Sequence, residues 1–178
     1  MTPDQINEIR VNPYKDDFPL LSRNADLAFL DSAATAQRPA CVLEAQRSFY
    51  ETMNAGLYRL SVEATEAIND ARHTVASFIG ASESQDIVFC RNTSEALNII
   101  AKSFGASVLK PGDEVCISIM EHHSNLIPWQ QVCRATGASL VYLRPDKQGI
   151  ITAEEMDSKI SQRTKIVSVT HVSNVLGI

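Results

Sequence analysis

Several classes of protein are excluded by what this sequence lacks. Its four cysteines (Cys41, Cys90, Cys116 and Cys133) form no C-x-x-C pair, which leaves a zinc site or thioredoxin-like motif without support. No apolar run approaches the ~20 residues that span a bilayer. Lys and Arg form no run, and the net charge is −5, so a nucleic-acid surface is not indicated. The first residues lack the basic and apolar regions of a signal peptide. We therefore expect a cytoplasmic protein with structural cysteines and with no metal, nucleic-acid or membrane partner.

The sequence instead has the composition of a globular protein. Apolar residues make up 44% and charged residues 21% of its 178 residues, enough for one domain with a sizeable core. Hydrophobic periodicity predicts helices at 3–10, 39–53, 61–79, 94–104, 125–135 and 152–160. Short apolar runs predict strands at 86–90, 115–119, 140–143 and 165–170. This alternation predicts an α/β fold with a mostly parallel sheet and helices on both faces.

One strand-to-helix junction has the features of an anion site. In the segment RNTSEALN, residues 91–98, Asn92 is a candidate N-cap with Glu95 three positions later. The amides of the first helical turn would then lack intrahelical partners, and such a terminus can hold a phosphate. The hydroxyls of Thr93 and Ser94 add two donors. Ordinary helix capping is the alternative interpretation.

A second junction carries two adjacent histidines. His122 and His123 follow the strand predicted at 115–119, and ligands usually bind at the carboxyl ends of strands in α/β proteins. Histidine is also suited to proton transfer near neutral pH. The alternative is that both side chains only satisfy a loop.

These junctions belong to four motifs that occur in a fixed order. The motifs are LDSAATAQRP at 30–39, RNTSEALN at 91–98, EHHSNLIPWQ at 121–130 and THVSNVLG at 170–177. Together they resemble the amino-terminal half of the SufS-type (group II) cysteine desulfurases, in the class-V branch of the fold-type I pyridoxal phosphate enzymes. The resemblance runs from about residue 18 to residue 178. It implies part of a PLP-transferase large domain, with a helical and substrate-loop segment at 1–60 and the first part of the PLP-binding domain at 61–178.

The resemblance also implies roles for individual residues. His122 corresponds to the histidine that stacks on the ring of pyridoxal 5′-phosphate and shuttles protons. Thr93 and Ser94 correspond to the phosphate-binding segment, usually Gly-Thr-Thr-Glu, in which Asn92 here replaces glycine and tolerates a left-handed backbone less freely. Asn174 corresponds to the asparagine that donates to the cofactor phenolic oxygen.

The implied activity converts L-cysteine to L-alanine and an enzyme persulfide for iron-sulfur cluster assembly. The small residues Ala33 and Ala34 are candidate substrate contacts, although a plain turn would look the same. The implied partners are L-cysteine, a second copy in a homodimer and a sulfur-acceptor protein. The segment NAGLYRLS at 54–61 departs from the His-Arg-Gly-x-His segment usual in the family, which contributes there to the active-site mouth and to dimer contacts, because it lacks the histidines.

The family's pyridinium-binding Asp, Schiff-base Lys and nucleophilic Cys lie further along its chains than residue 178. No lysine here has the family's Ser-x-His-Lys context. We therefore expect an amino-terminal fragment that is inactive by itself. The alternatives are a truncated inactive product, a binding half that needs a second chain, and another class-V enzyme such as a selenocysteine lyase.

Overall fold

Helices make up the regular structure of the amino-terminal part of the chain. The computed structural model describes residues 13–54 and 59–178, and its contacts divide the chain into two units, Met1–Val88 and Phe89–Ile178. The first unit contains a 3-10 turn at Lys15–Asp17, α1 (Pro19–Ser22), α2 (Ala40–Thr52), α3 (Arg59–Ile79) and a second 3-10 turn at Ser84–Asp86. The predicted domain boundary between residues 60 and 61 differs from this division after Val88, and it stays a prediction.

The two long helices of this unit confirm the predictions at 39–53 and 61–79. Gly80 has a φ of +71°, which is the left-handed backbone that glycine adopts most easily after a helix. The helix predicted at 3–10 lies outside the described residues. So do residues 55–58 of the segment 54–61 that lacks the family's histidines.

The apolar face predicted for α3 is not buried. Phe78 is 90% exposed and Ile79 is 62% exposed. Among the described residues of this unit, Ala76 and Ile87 are the buried hydrophobic ones. The helical period is therefore confirmed, but the described residues of this unit leave the apolar side of the helix uncovered.

The strand predicted at 86–90 is wrong. Asp86 ends a 3-10 turn, and the backbone then continues in extended form without pairing to any described strand. Val88 is 76% exposed and Phe89 is 51% exposed. An apolar run can favour an extended backbone, but a strand also requires a neighbour whose amides and carbonyls it can bond.

The second unit is an α/β layer structure. It comprises α4 (Thr93–Ile100), a π-helix (Ala101–Gly105), α5 (Ala106–Val108), β1 (Glu114–Ser118), α6 (His123–Thr136), β2 (Ser139–Leu143), α7 (Ala153–Lys159) and β3 (Thr164–Ser168). The three strands form a parallel sheet in the order β2-β1-β3. The predicted α/β class with a parallel sheet is thereby confirmed.

The strand order accounts for helices on both faces of the sheet. The chain moves from β1 to β2 in one direction and then crosses over β1 to reach β3 on the other side. Because crossover connections are right-handed, opposite moves place their helices on opposite faces. Val115 and Ile117 pack in the core with Trp129 of α6. Cys116 points to the other face. Burial raises the pKa of its thiol most, and the charges of Glu114 and of Glu155 on α7 raise it further.

A π-helix lets the segment after α4 approach α6 closely. Gly105, the last residue of the π-helix, is buried, and a Cβ added there would lie 2.9 Å from Cζ3 of Trp129. Trp129 is 2% exposed and lies at the centre of the core. The indole of Trp129 therefore packs against a residue without a side chain, which allows the π-helix and α6 to approach each other closely. None of the described helices is both long enough and apolar enough to cross a bilayer.

Candidate functional site

The amino terminus of α4 is capped as its sequence predicts. Oδ1 of Asn92 accepts a hydrogen bond from the amide of Glu95 at 3.0 Å. The Glu95 carboxylate accepts from the backbone amide of Arg91 at 2.7 Å and from its guanidinium at 3.1 Å. These bonds, the backbone one foremost, lower the pKa of Glu95. Asn92 has φ −169° and ψ 172°, an extended conformation open to any residue, so the site needs no left-handed backbone there.

The cap leaves part of the first turn available to a ligand. The amides of Thr93 and Ser94 precede the first intrahelical bond, which the amide of Ala96 makes to the carbonyl of Asn92. The two side chains, however, line different cavities. Thr93 lines a pocket that it shares with His122, whereas Ser94 lines an open groove with Arg91 and Lys102.

His122 caps α6, which begins two residues before the predicted position 125. Nδ1 of His122 accepts a hydrogen bond from the amide of Ser124 at 3.1 Å and lies 2.9 Å from its Oγ. A nitrogen that accepts from a backbone amide carries no proton, so this geometry assigns the proton of the neutral ring to Nε2. His122 is exposed. Its second nitrogen is therefore left as a donor for a ligand.

These two helix termini meet at the carboxyl ends of β1 and β3. They enclose a pocket of about 280 Å³. Its lining comes from α4, from the β1–α6 turn, from the first turn of α6, and from the end of β3 with the two residues after it. The lining residues are Thr93, Leu97, Glu121, His122, Ser124, Asn125, Ser168, Val169 and Thr170. This is the edge of a parallel sheet where ligands usually bind. The lining offers hydroxyls, amides, one imidazole and the Glu121 carboxylate, whose oxygens already accept from Ser118, Asn125 and Thr170, and it contains neither lysine nor cysteine.

A hydrogen-bond network that the sequence analysis missed lies under His122. The Glu121 carboxylate accepts from Oγ of Ser118 at 2.5 Å, from the amide of Thr170 at 2.8 Å and from Nδ2 of Asn125 at 2.7 Å. Oδ1 of Asn125 in turn accepts from Nε1 of Trp129 at 3.0 Å and from Oγ of Ser168 at 2.7 Å. The available signal was the i, i+4 spacing of Asn125 and Trp129, which places both on one face of α6, with Glu121 one residue before the N-cap.

Asn174 belongs to the same unit as this pocket but does not line it. Asn174 is exposed in a turn after β3, which Ser173 holds by accepting at Oγ from the amide of Leu176 at 3.1 Å. Ala33 and Ala34 belong to the first unit, in a turn where the amide of Ala34 donates to the carbonyl of Asp31 at 3.2 Å. Their roles stay predictions.

His123 and the cysteines do not line this pocket. His123 is exposed and does not line the pocket; its ring meets that of His122 edge to face, with centroids 6.3 Å apart. Cys116 and Cys133 are buried, and burial raises the pKa of both thiols, which keeps them unreactive. Cys41 is exposed, so burial does not explain it. Across residues 13–54 and 59–178 there is no cluster of three or more side chains that could hold a metal ion.

Comparison with known proteins identifies the family. The family profile described as aminotransferase class-V matches residues 28–178. The chain belongs to this family. It is 46% identical, over 167 residues, to a probable cysteine desulfurase of Halalkalibacterium halodurans. The matched region covers 90% of this chain and 41% of that protein. The resemblance to the class-V branch is thereby confirmed.

Solved structures agree with this assignment. The apo structure of a cysteine desulfurase from Thermococcus onnurineus is similar with a TM-score of 0.84 at 36% identity, over 93% of this chain and 41% of that one. A cysteine desulfurase from Escherichia coli gives a TM-score of 0.81 at 34% identity, over 93% of this chain and 42% of that one. The class-V chain described here thus spans about two fifths of the length of these relatives.

Proposed function

We propose that this chain forms the amino-terminal part of a PLP-dependent cysteine desulfurase of the SufS type. The observation that carries the proposal is the convergence of Thr93 and His122 on one pocket at the carboxyl end of the sheet. The first residue begins a helix and the second caps another, so that a phosphate-binding terminus and an imidazole face the same space. The names of the relatives add the substrate class, L-cysteine.

The donor set of the pocket fits pyridoxal phosphate. The hydroxyl of Thr93 and the unpaired amides of Thr93 and Ser94 would hold the phosphate at the amino terminus of α4. Glu95 lies in the same turn, but its negative charge is compensated by Arg91. His122 would lie against the cofactor ring and present Nε2–H. When bound, pyridoxal phosphate supplies an electron sink for the α-carbon of the substrate, while the protein orients it and moves protons.

We further propose that the 178-residue chain does not turn over L-cysteine by itself. The pocket lining contains neither the lysine that would anchor the cofactor nor the cysteine that would accept sulfur. Of the six lysines, Lys15 donates to the carbonyl of Ala25 at 2.5 Å and Lys165 to that of Gln162 at 3.1 Å. Homodimerisation, delivery of sulfur to an acceptor protein and iron-sulfur cluster assembly are further parts of the proposal. The cytoplasmic location stays a prediction.

Two assays test these proposals. The complete polypeptide that the gene encodes should bind pyridoxal phosphate and release alanine from L-cysteine, and a preference for L-selenocysteine would favour the lyase alternative. The 178-residue chain alone should release neither alanine nor sulfide with added cofactor. The idea of an inactive chain would be refuted by turnover that is lost on substitution of a residue in this chain. The desulfurase proposal would be refuted by a complete polypeptide that binds no cofactor.

A further inference from the structure

We propose that Glu121 is a positioning residue that fixes the His122 turn against the end of β3, and that the indole of Trp129 orients the Asn125 carboxamide so that it requires an acceptor at position 121. The inference rests on the proposed function, because it concerns how the cofactor pocket is held. The carboxylate of Glu121 joins three separate parts of the structure: Ser118 at the end of β1, Asn125 in the first turn of α6, and Thr170 after β3.

This arrangement fixes His122 from both sides. Its chain neighbour Glu121 is anchored to the amide of Thr170, which lies 49 residues away in sequence. On the other side, Asn125 lies three residues after His122, and its Oδ1 accepts from Oγ of Ser168 and from the indole of Trp129. Ser118 and Trp129 are 1% and 2% exposed, and Asn125 is 8% exposed. The network is thus largely shielded from water, which would otherwise replace a lost partner.

The donors and acceptors in the network have only one consistent assignment. The indole of Trp129 can only donate, so the atom of Asn125 that faces it must be the oxygen. The amide nitrogen of Asn125 must then face Glu121, and it requires an acceptor there. A carboxylate at position 121 meets this requirement. If a carboxamide at position 121 kept its oxygen toward Ser118 and Thr170, its NH₂ group would face Nδ2 of Asn125. Two hydrogen-bond donors would then oppose each other.

The assignment predicts a compensating pair of substitutions. In E121Q the introduced amide group opposes Nδ2 of Asn125, and rotating the Asn125 carboxamide would only transfer the conflict to Trp129. In N125D two carboxylates face each other where the 2.7 Å bond to Glu121 now lies. In the double variant E121Q/N125D the carboxylate moves to position 125. There it accepts from the introduced amide, from Trp129 and from Ser168, so every strong bond is restored with the same total charge.

The experiment uses the complete polypeptide with four variants: E121Q, N125D, E121Q/N125D and the control V132A. Val132 is a buried α6 residue outside the network, so V132A destabilises the fold through a cavity alone. Two quantities are measured well below the unfolding temperature. One is the ¹⁵N chemical shifts of the His122 ring, which report its tautomer; the other is the dissociation constant for pyridoxal phosphate.

Each single network variant should shift the His122 signals and weaken cofactor binding about tenfold, the effect expected from breaking a hydrogen bond to a charged group. The double variant should recover most of both, and V132A should change neither. The proposal is overturned if E121Q leaves both readouts unchanged, if the double variant is no better than the weaker single one, or if V132A matches E121Q. A wild-type polypeptide that binds no cofactor would refute the proposed function, while the ¹⁵N shifts would still decide the role of Glu121.

Discussion

Gly105 packs directly against the indole of Trp129. A Cβ at position 105 would lie 2.9 Å from Cζ3 of that ring, closer than packed carbon atoms approach. The contact joins the π-helix after α4 to α6, and Trp129 also donates to Asn125 beside the pocket. Packing in the core and geometry at the site are therefore coupled through one side chain.

This contact reverses the usual effect of replacing glycine in a helix. Alanine in place of glycine normally stabilises a helix by about 0.5–1 kcal/mol, but here the added methyl group overfills the core, which typically costs ~1–3 kcal/mol. We expect Gly105→Ala to lower the free energy of unfolding of the complete polypeptide, measured by urea titration. Lys102→Ala, at an exposed position of the same helix, is the control and should change it little. A stabilised Gly105→Ala variant would contradict the packing described here.

His122 combines two roles that substitutions can separate. His122→Ala should leave most pyridoxal phosphate bound but lower turnover of the complete polypeptide by about 10²–10⁴-fold, the usual effect of losing a general acid or base. His122→Asn retains a side-chain oxygen that can accept from the amide of Ser124, so it should restore helix stability without restoring turnover. His123→Ala is the matched control. Near-normal turnover in His122→Ala would reassign this residue to helix capping alone.

Thr93 and Ser94 should differ in their effect on cofactor retention. Only the side chain of Thr93 lines the pocket shared with His122, whereas that of Ser94 lines the groove with Arg91. We expect Thr93→Ala to weaken pyridoxal phosphate binding clearly, and Ser94→Ala to weaken it less, since its backbone amide remains. Thr93→Ser, which retains the hydroxyl, is the control. Cofactor content measured after gel filtration checks this order, and equal losses in both alanine variants would argue against it.

Glu114 should make the β1–β3 contact sensitive to acid. Its carboxylate accepts from Oγ of Ser161 at 2.9 Å, which contributes most to lowering its pKa, and the charge of Arg163 lowers it further. A lowered folded-state pKa gives stability that is complete above the ordinary value of 4.5 and is lost as pH falls through the folded-state value.

The urea midpoint of the complete polypeptide should therefore fall between about pH 5 and pH 3, in the range where carboxylates titrate. In Glu114→Gln this fall should be smaller, and the two midpoints should converge at the lowest pH. Glu66→Gln, at an exposed position of α3, should retain the wild-type profile. A Glu114→Gln variant whose profile parallels the wild type at all pH values would show that this carboxylate does not contribute.

The 178-residue chain should be poorly soluble, molten or dependent on a partner when purified alone. Phe78 and Val88 are 90% and 76% exposed, and β3 is a sheet edge on which Val167 is 51% exposed. Unpaired strand edges and exposed apolar surfaces favour association. Strong binding of a hydrophobic dye and a broad thermal transition are the expected results. A sharp two-state transition from a monomer at low protein concentration would contradict this expectation.

Local features of the fold were determined by the sequence itself. Asn92 caps α4 through the amide of Glu95, and Thr152 caps α7 through the amide of Glu155, because each cap and its partner lie three residues apart. Gly137 ends α6 with a φ of +77°, which glycine adopts without steric cost. Motif order was equally informative, since four short segments were enough to indicate the family that the comparisons then confirmed.

Pairing and convergence were decided only by the tertiary structure. Residues 86–90 have the apolar pattern of a strand, yet no described strand pairs with them, because a ladder depends on distant residues that a local pattern does not contain. Thr93 and Ser94 are adjacent in sequence, but packing places only Thr93 in the pocket with His122. Glu121 meets Thr170 across 49 residues, because parallel pairing of β1 with β3 brings their carboxyl ends together.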